Sequence, residues 1–180
     1  MSIVSALQSF VSEYVDYYQN NQQPLVIQYD KNWPSPCYQQ NGEQDEWVNW
    51  RPILQTAPAS FEHFEQALDL KMDEQLKQYY TCFWSDNLNA NTERGNLQLL
   101  MPWNEEDFER LQKNLVAHVL MKRRLGQEET LFFAITDEDD FIVSVHNQSG
   151  KVMLEQVGLE PKETLAESLE EFIQQLSPRI

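Results

Sequence analysis

The strongest periodic pattern in the chain lies between residues 104 and 126. Asn104 can cap the first free backbone N–H groups of a helix, and the acidic residues 105–107 suit the positive end of its dipole. The basic residues 122–124 suit the negative end, and Gly126 offers a left-handed stop. Apolar side chains between them recur at the spacing of one buried face: Phe108, Leu111, Leu115, Val119 and Leu120. The segment is therefore predicted to be a helix.

Two earlier parts of the chain also have helical spacing. The N-terminal segment carries an apolar stripe made of Val4, Leu7, Val11, Tyr14, Val15 and Tyr18. Ser60 can cap a second helix whose buried residues would be Phe61, Phe64 and Leu68. Residues 72–84 are expected to continue as a helical stretch through Leu76, Tyr79, Tyr80 and Phe83.

A last helix is predicted near the C-terminus. Thr164 and Glu167 have the spacing of a capping box, in which each side chain bonds to the backbone of the other residue. The inward face of this helix would consist of Leu165, Leu169, Phe172, Ile173 and Leu176.

Between these helices the pattern changes to short apolar or alternating runs, which are typical of strands. We expect strands at residues 46–52, 96–101, 130–137, 140–147 and 152–158. Residues 147–151 have the composition of a hairpin turn, and the polar stretch 85–96 is predicted to be a loop. No internal repeat or linker interrupts the chain. The sequence thus predicts an α+β fold, a mostly antiparallel sheet packed with helices, in a single domain spanning residues 1–180.

The charge balance narrows the choice of partners. The chain has 29 acidic residues against 13 Lys and Arg, which gives a formal net charge of -16. The negative electrostatic field of such a chain opposes its approach to nucleic acid and to anionic lipid. We therefore expect neither nucleic-acid binding nor direct lipid insertion. The same field would attract a basic partner, and salt should weaken that attraction. Simple solubility is the alternative explanation of the charge.

The sequence shows no signal peptide and no apolar run of membrane-spanning length, so a cytoplasmic protein is expected. Cys37 and Cys82 lie far apart and suggest neither a disulfide nor a thiolate zinc site, so both are interpreted as small buried hydrophobes. His118 lies beside the apolar stripe of the predicted helix and is expected to be a hydrogen-bonded core residue. The acidic run 137–140 lacks the pattern of a calcium loop and is expected to be solvated.

We find no catalytic constellation in the sequence. Nucleotide-binding and hydrolase motifs are absent, and the three histidines have no metal-ligand spacing. Paired carboxylates would suit an acid-pair hydrolase, which requires a deep pocket and a carboxyl group of raised pKa. With so many acids, chance pairs are expected. We therefore predict that the protein is not an enzyme and has no cofactor or metal.

The remaining candidate chemistry is a mixed aromatic and acidic surface, which suits binding of Lys or Arg side chains. Aromatic residues lie close in sequence to acids in two regions. The aromatic candidates are Tyr79, Tyr80, Trp84 and Trp103, and the acidic ones are Glu62, Glu65, Asp69, Asp86, Glu105, Glu106 and Asp107. Core packing is the alternative for the aromatics, and helix capping is the alternative for residues 105–107.

Six stretches, in this order and spacing, resemble the Syd family of bacterial SecY-interacting proteins. They are residues 34–37, 50–52, 79–81, 99–125, 130–152 and 165–178. The resemblance implies a SUKH-type fold and a non-enzymatic protein on the cytoplasmic side of the inner membrane. Its expected partner is SecY, the channel of the Sec translocon, and its expected role is quality control or negative regulation of protein translocation.

The resemblance also implies an acidic concave binding surface. We place it on Glu105, Glu106 and Asp107, which match the tryptophan-led acidic motif that begins at Trp103. We extend it, as our own inference, to Glu62, Glu65, Asp69, Tyr80, Trp84 and Asp86. A SUKH-type immunity protein that neutralises a basic toxin nuclease is the alternative, because the same fold and acidity would serve. The sequence leaves the oligomeric state open.

Overall fold

The computed structural model describes residues 2–180, which fold into helices packed on an antiparallel sheet. The helices are α1 (Ile3–Asn20), α2 (Glu62–Leu68), α3 (Glu74–Tyr80), α4 (Glu105–Arg124) and α5 (Leu169–Gln174). The strands before α4 are β1 (Val26–Gln28), β2 (Trp47–Asn49), β3 (Ile53–Leu54), β4 (Phe83–Trp84), β5 (Leu88–Thr92) and β6 (Gly95–Leu99). The strands after α4 are β7 (Thr130–Thr136), β8 (Phe141–His146), β9 (Val152–Gln156), β10 (Glu163–Ala166) and β11 (Ser177–Pro178).

The main sheet has seven strands in the order β10-β9-β8-β7-β6-β5-β11, and every neighbouring pair is antiparallel. The sheet is curled, so the turn between β5 and β6 approaches the far strand β10. Arg94 in that turn pairs with Glu163 of β10, with Nε 2.7 Å from Oε2. Two small antiparallel ribbons, β1–β2 and β3–β4, flank the main sheet. The predicted α+β class and antiparallel sheet are confirmed.

The first helix, α1, begins at a serine cap and packs near the end of the chain. The Ser2 hydroxyl accepts a bond from the backbone N–H of Ser5 at 3.1 Å. The apolar face of α1 contacts α5 and β11. The Tyr18 hydroxyl donates to the carbonyl of Arg179 at 3.4 Å.

The helix predicted between residues 104 and 126 is confirmed as α4, with Gly126 at φ +69° after its end. Most of the predicted stripe is buried or half-buried, but the prediction for Leu120 was wrong, because its side chain is 47% exposed. His118 and Lys122 are buried instead. These two residues lie one turn apart on the same side as Leu115 and Val119, whereas Leu120 is rotated by about 100° from Val119.

Three predicted boundaries were wrong. The polar stretch 85–96 is not a loop, because Leu88 and Ala90 alternate inward on β5 while the intervening asparagines face outward. The helical stretch 72–84 ends at Tyr80, and β4 follows it and pairs with β3. The second helix has Phe61 as its N-cap residue, and the Ser60 hydroxyl accepts from the N–H of Glu62.

The capping box of the last helix was also misplaced. Residues near Thr164 form β10, and α5 begins only at Leu169. The Ser168 hydroxyl accepts from the N–H of Glu171 at 3.2 Å, so Ser168 is the cap. The prediction failed because a second cap with the same three-residue spacing follows four positions later.

Several predictions about single residues are confirmed. His118 is 8% exposed, and its Nε2 lies 3.0 Å from the Thr130 hydroxyl. Burial lowers the pKa of His118. Cys37 and Cys82 are buried free thiols, and burial raises the pKa of Cys37 to about 12. The acidic run 137–140 is exposed.

Candidate functional site

A cleft of about 400 Å³ lies between β1, the segment that joins β4 to β5, and the first turns of α4. Acidic and aromatic residues make up seven of its sixteen lining residues. The acids are Asp30, Asp86 and Asp107, and the aromatics are Trp33, Tyr38, Trp103 and Phe132. Arg110 and Asn114 contribute from α4, and Ile27 and Gln28 contribute from β1. The cleft therefore combines the two kinds of side chain that recognise cations.

The α4 side of the cleft is built by helix capping. The Asn104 side chain accepts from the N–H of Asp107 at 2.8 Å, and the Asp107 carboxylate accepts from the N–H of Trp103 at 2.8 Å. Arg110 donates from Nε to the other oxygen of Asp107 at 3.1 Å. Because its two oxygens are bonded within the chain, Asp107 is only 8% exposed. The Asn104 amide also donates to the carbonyl of Pro34, which fixes α4 against the aromatic loop.

The aromatic wall is a packed group rather than a set of free rings. Tyr38 and Trp103 meet edge to face, with ring centroids 5.2 Å apart. The Tyr38 hydroxyl accepts from the N–H of Asp30 at 3.1 Å, which orients the chain at the end of β1. The Ser35 hydroxyl donates to the carbonyl of Trp103 at 2.7 Å. These contacts hold the loop after β1 against the start of α4, so the cleft is formed in the unbound protein.

Asp86 lies on the wall of the cleft and has a raised pKa. Burial raises the pKa of Asp86, and the negative charge of Asp107 raises it further, while a bond from the N–H of Asn87 lowers it. That bond is 2.9 Å long. The Ser85 hydroxyl donates to the backbone carbonyl of Asp86 and leaves the carboxylate unaffected. A cation placed beside Asp86 would offset both its burial and the repulsion from Asp107.

The chain is similar to known proteins along nearly its whole length. The sequence profile of the family described as Syd protein (SUKH-2) matches residues 4–178. The chain belongs to the Syd family. It is 49% identical over 178 residues to Protein Syd of Alteromonas mediterranea, with 99% of this chain and 97% of that protein covered. Protein Syd of Pseudoalteromonas atlantica is 44% identical over 179 residues, with 98% and 96% covered. The resemblance inferred from the sequence is confirmed, and Syd is not known as an enzyme family.

The cleft of this Syd-family chain contains three of the ten predicted site residues, Asp86, Trp103 and Asp107. Glu105 and Glu106 occupy the first turn of α4 beside it, and their side chains are exposed. These five residues form one continuous region. We refer to the cleft with Glu105 and Glu106 at its margin as the acidic cleft.

Two of the predicted aromatics belong to the core of the Syd fold. Tyr80 is fully buried, and its hydroxyl donates to the carbonyl of Phe132 at 2.8 Å. Trp84 is 8% exposed and pairs through its backbone with Ile53. Their rings present almost no surface to a partner. Trp103 is itself only 5% exposed and lines the cleft with a small part of its ring.

The three predicted acids near α2 do not line the acidic cleft. Glu65 pairs with Lys77 at 3.1 Å and accepts from the N–H of Met72 at 2.9 Å, so its carboxylate is engaged. Glu62 is exposed on the first turn of α2. Asp69 lines a separate depression near His146 and Glu128. Among residues 2–180, no group of three or more His, Cys, Asp or Glu side chains is placed to hold a metal ion.

Sequence reasoning missed Asp30, Trp33 and Tyr38, which supply much of the cleft. They lie in the segment 24–58, which is rich in Pro, Trp and Tyr and in which the pattern predicts a loop at residues 32–37. The signal was the density of Trp, Tyr and Pro next to an isolated acid, but nothing in the local pattern pairs residue 30 with residue 86. Among the described residues, no helix is long and apolar enough to cross a bilayer.

Proposed function

We propose that this Syd-family protein binds SecY through the acidic cleft and acts as a quality-control or negative regulatory factor of protein translocation. Its partner surface would be the basic cytoplasmic loops of SecY, and this contact would hold it on the cytoplasmic side of the inner membrane. The observation that carries the proposal is the cleft itself, in which three carboxylates and three aromatic side chains with polar edges converge.

The charges favour such a partner. Cytoplasmic loops of membrane proteins carry an excess of Lys and Arg, and this chain has a net charge of -16. A Lys or Arg side chain that enters the cleft would meet Asp86, whose charged form is disfavoured without a cation. Glu105 and Glu106 at the margin would steer the same side chain during approach. The exposed acids of α2 add to the long-range field.

No further chemistry is required by this proposal. The cleft would act by binding alone, without a cofactor, a metal, nucleic acid or lipid insertion. Asp107 is unsuited to be half of a hydrolytic pair, because Trp103 and Arg110 already occupy its two oxygens. The protein would therefore regulate SecY by occupying its loops.

Binding to detergent-solubilised SecY complex at low and high salt tests the proposal. The double variant Glu105→Lys/Glu106→Lys and the single variant Asp86→Asn should bind more weakly than the parent chain. The matched control is Asp137→Lys/Asp139→Lys, which makes the same change of net charge in the exposed turn between β7 and β8. We expect the control to retain binding.

Equal loss in the two charge-reversed variants would show that overall charge, and not the cleft, governs binding. Absence of SecY binding by the parent chain at every salt concentration would overturn the proposal. In that case inhibition of a basic nuclease by the purified protein would support the immunity function instead.

A further inference from the structure

The strand β1 has an outer edge without a strand partner in the described part of the chain, since its ribbon contains only β1 and β2. Two backbone bonds fix the ladder of this ribbon. The N–H of Trp50 donates to the carbonyl of Leu25 at 3.1 Å, and the N–H of Tyr29 donates to the carbonyl of Glu46 at 2.7 Å. Hydrogen-bonded and non-bonded pairs alternate along an antiparallel ladder. These two bonds therefore determine which N–H and carbonyl groups of β1 point toward β2 and which point away.

Ile27 lies midway between these bonded pairs and faces Val48, so its N–H and carbonyl point toward β2. Val26 and Gln28 are the non-bonded positions, and their N–H and carbonyl groups point away from β2. No other described backbone group bonds to either residue. The outer edge of β1 thus offers two donors and two acceptors.

This edge borders the acidic cleft. Ile27 and Gln28 are consecutive, so their side chains lie on opposite faces of the ribbon, yet both line the cleft. A cavity that contacts both faces of a strand must lie beside its edge. None of the β2 residues, Trp47–Asn49, lines the cleft. The free edge must therefore be the one that faces the cavity.

We propose that the acidic cleft binds an extended basic segment that adds to β1 as a third strand of the ribbon. This inference rests on the proposed function of the cleft and specifies its mode of recognition. Backbone bonds to Val26 and Gln28 would give affinity without regard to sequence, as in other cases of strand addition. Side chains on one face of the added strand would give the selectivity.

The charges of the cleft fit such a segment. Alternate side chains of an added strand point to the same face, and every second one would enter the space between β1 and α4. There Asp30 closes the end of β1, Asp86 lies on the opposite wall, and Trp103 lies between the two elements. Lys or Arg at alternate positions would satisfy these carboxylates, so the expected ligand is a strand with a basic face.

Backbone amide exchange of the intact protein tests the proposal directly. The probe is a synthetic peptide of alternating lysine and threonine residues, added to the protein while exchange is followed residue by residue by NMR. We expect the Gln28 amide to exchange rapidly in the free protein and about tenfold or more slowly with bound peptide. The Ile27 amide, already bonded to Val48, is the internal control and should change little.

N-methylation of the peptide, one residue at a time, gives a second readout. Each lost hydrogen bond should weaken binding by about five- to tenfold. Losses at every second position would show strand pairing, because alternate residues face β1. Equal effects at all positions, or a peptide that binds without protecting Gln28, would overturn the proposal, as would failure of the peptide to bind.

The variant Gln28→Pro removes an N–H that the ribbon does not use, and proline is tolerated at such edge positions. Its matched control, Gln28→Ala, removes only the side chain. The alanine variant measures the contribution of the side chain, and the proline variant should lose about five- to tenfold more peptide affinity than the alanine variant. If the proline variant does not fold, amide exchange of the parent chain still tests strand addition to β1. Peptide results are independent of SecY binding, so failure of the proposed function and failure of strand addition are distinguishable.

Discussion

The ammonium group of Lys122 lies 3.0 Å from a carboxylate oxygen of Glu155, and both side chains are completely buried between α4 and β9. Lys122 also donates to the carbonyl of Leu159 at 3.3 Å. The other oxygen of Glu155 accepts from the hydroxyls of Thr130 and Ser144. The pair is therefore surrounded by hydrogen bonds and connects α4, which forms one wall of the cleft, to three strands of the sheet.

Replacement Lys122→Met should destabilise the protein by about 3–5 kcal/mol, because it leaves the carboxylate of Glu155 buried without a counter-charge. The control is Arg123→Met, on the same turn of α4. Arg123 pairs with Glu129 at the surface, where the two side chains are 36% and 33% exposed. Its loss should cost about 1 kcal/mol or less. Urea denaturation measures both, and similar values would refute the assigned role of the buried pair.

Replacement Asp107→Ala should lower the free energy of unfolding by about 0.5–2 kcal/mol, because it removes the bond that caps the N–H of Trp103. Glu106→Ala, one position earlier and exposed, should change stability by about 0.5 kcal/mol or less. Thermal or chemical denaturation separates the two. If both variants keep the parent stability, Asp107 acts on binding only and the capping role is wrong.

Much of α4 could be predicted from sequence because its signals are local. The cap at Asn104, the charges at the two helix ends and the buried stripe all lie within one helix. Each of these signals predicts the same helical segment. The strand β5 could not be predicted in this way, since its Asn89 and Asn91 are typical of loops. Pairing with β6 and β11 on its two sides overrides that preference.

The acidic cleft was only partly predictable for a related reason. Trp103 and Asp107 were identifiable as parts of one helix start, and Asp86 lies close to them in sequence. Asp30 and Tyr38 reach the cleft only because the segment around them packs beside the start of α4. These two segments are far apart in sequence: Asn104 donates to the carbonyl of Pro34, 70 residues earlier. Such proximity has no local signature.

Asp86→Asn should stabilise the free protein at neutral pH and weaken the proposed binding to SecY. The pKa of Asp86 is raised in the folded state by burial, above its ordinary value of 3.8. The folded protein therefore holds this proton more tightly than the unfolded chain. Below pH 3.8 both states are protonated at this position, and the residue adds no pH dependence.

As the pH rises from 3.8 through the raised pKa, the parent chain should lose stability relative to Asp86→Asn, and the difference should then stay constant. Stability curves for the two proteins across this range check the sign. A difference that grows toward low pH would contradict it.

Tyr80→Phe should destabilise the protein by about 1–2 kcal/mol without weakening its binding to SecY. The hydroxyl of Tyr80 is buried and donates to the carbonyl of Phe132, which would be left without this partner. Tyr79→Phe is the matched variant, because the hydroxyl of Tyr79 donates to the carbonyl of Leu100 at 2.9 Å. A loss of SecY affinity in Tyr80→Phe, but not in Tyr79→Phe, would show that Tyr80 belongs to the binding surface.

The contacts of α1 with α5 and β11 have a consequence for synthesis of the chain. The first helix packs against α3, and it packs also against α5 and β11, which lie far along the chain. Arg179 donates to the carbonyls of Ala90 on β5 and Leu97 on β6. Until α5 and β11 have left the ribosome, the part of the α1 surface that they cover has no packing partner. Packing of α1 is therefore completed only after α5 and β11 have emerged, and its uncovered face is a segment that a chaperone would meet.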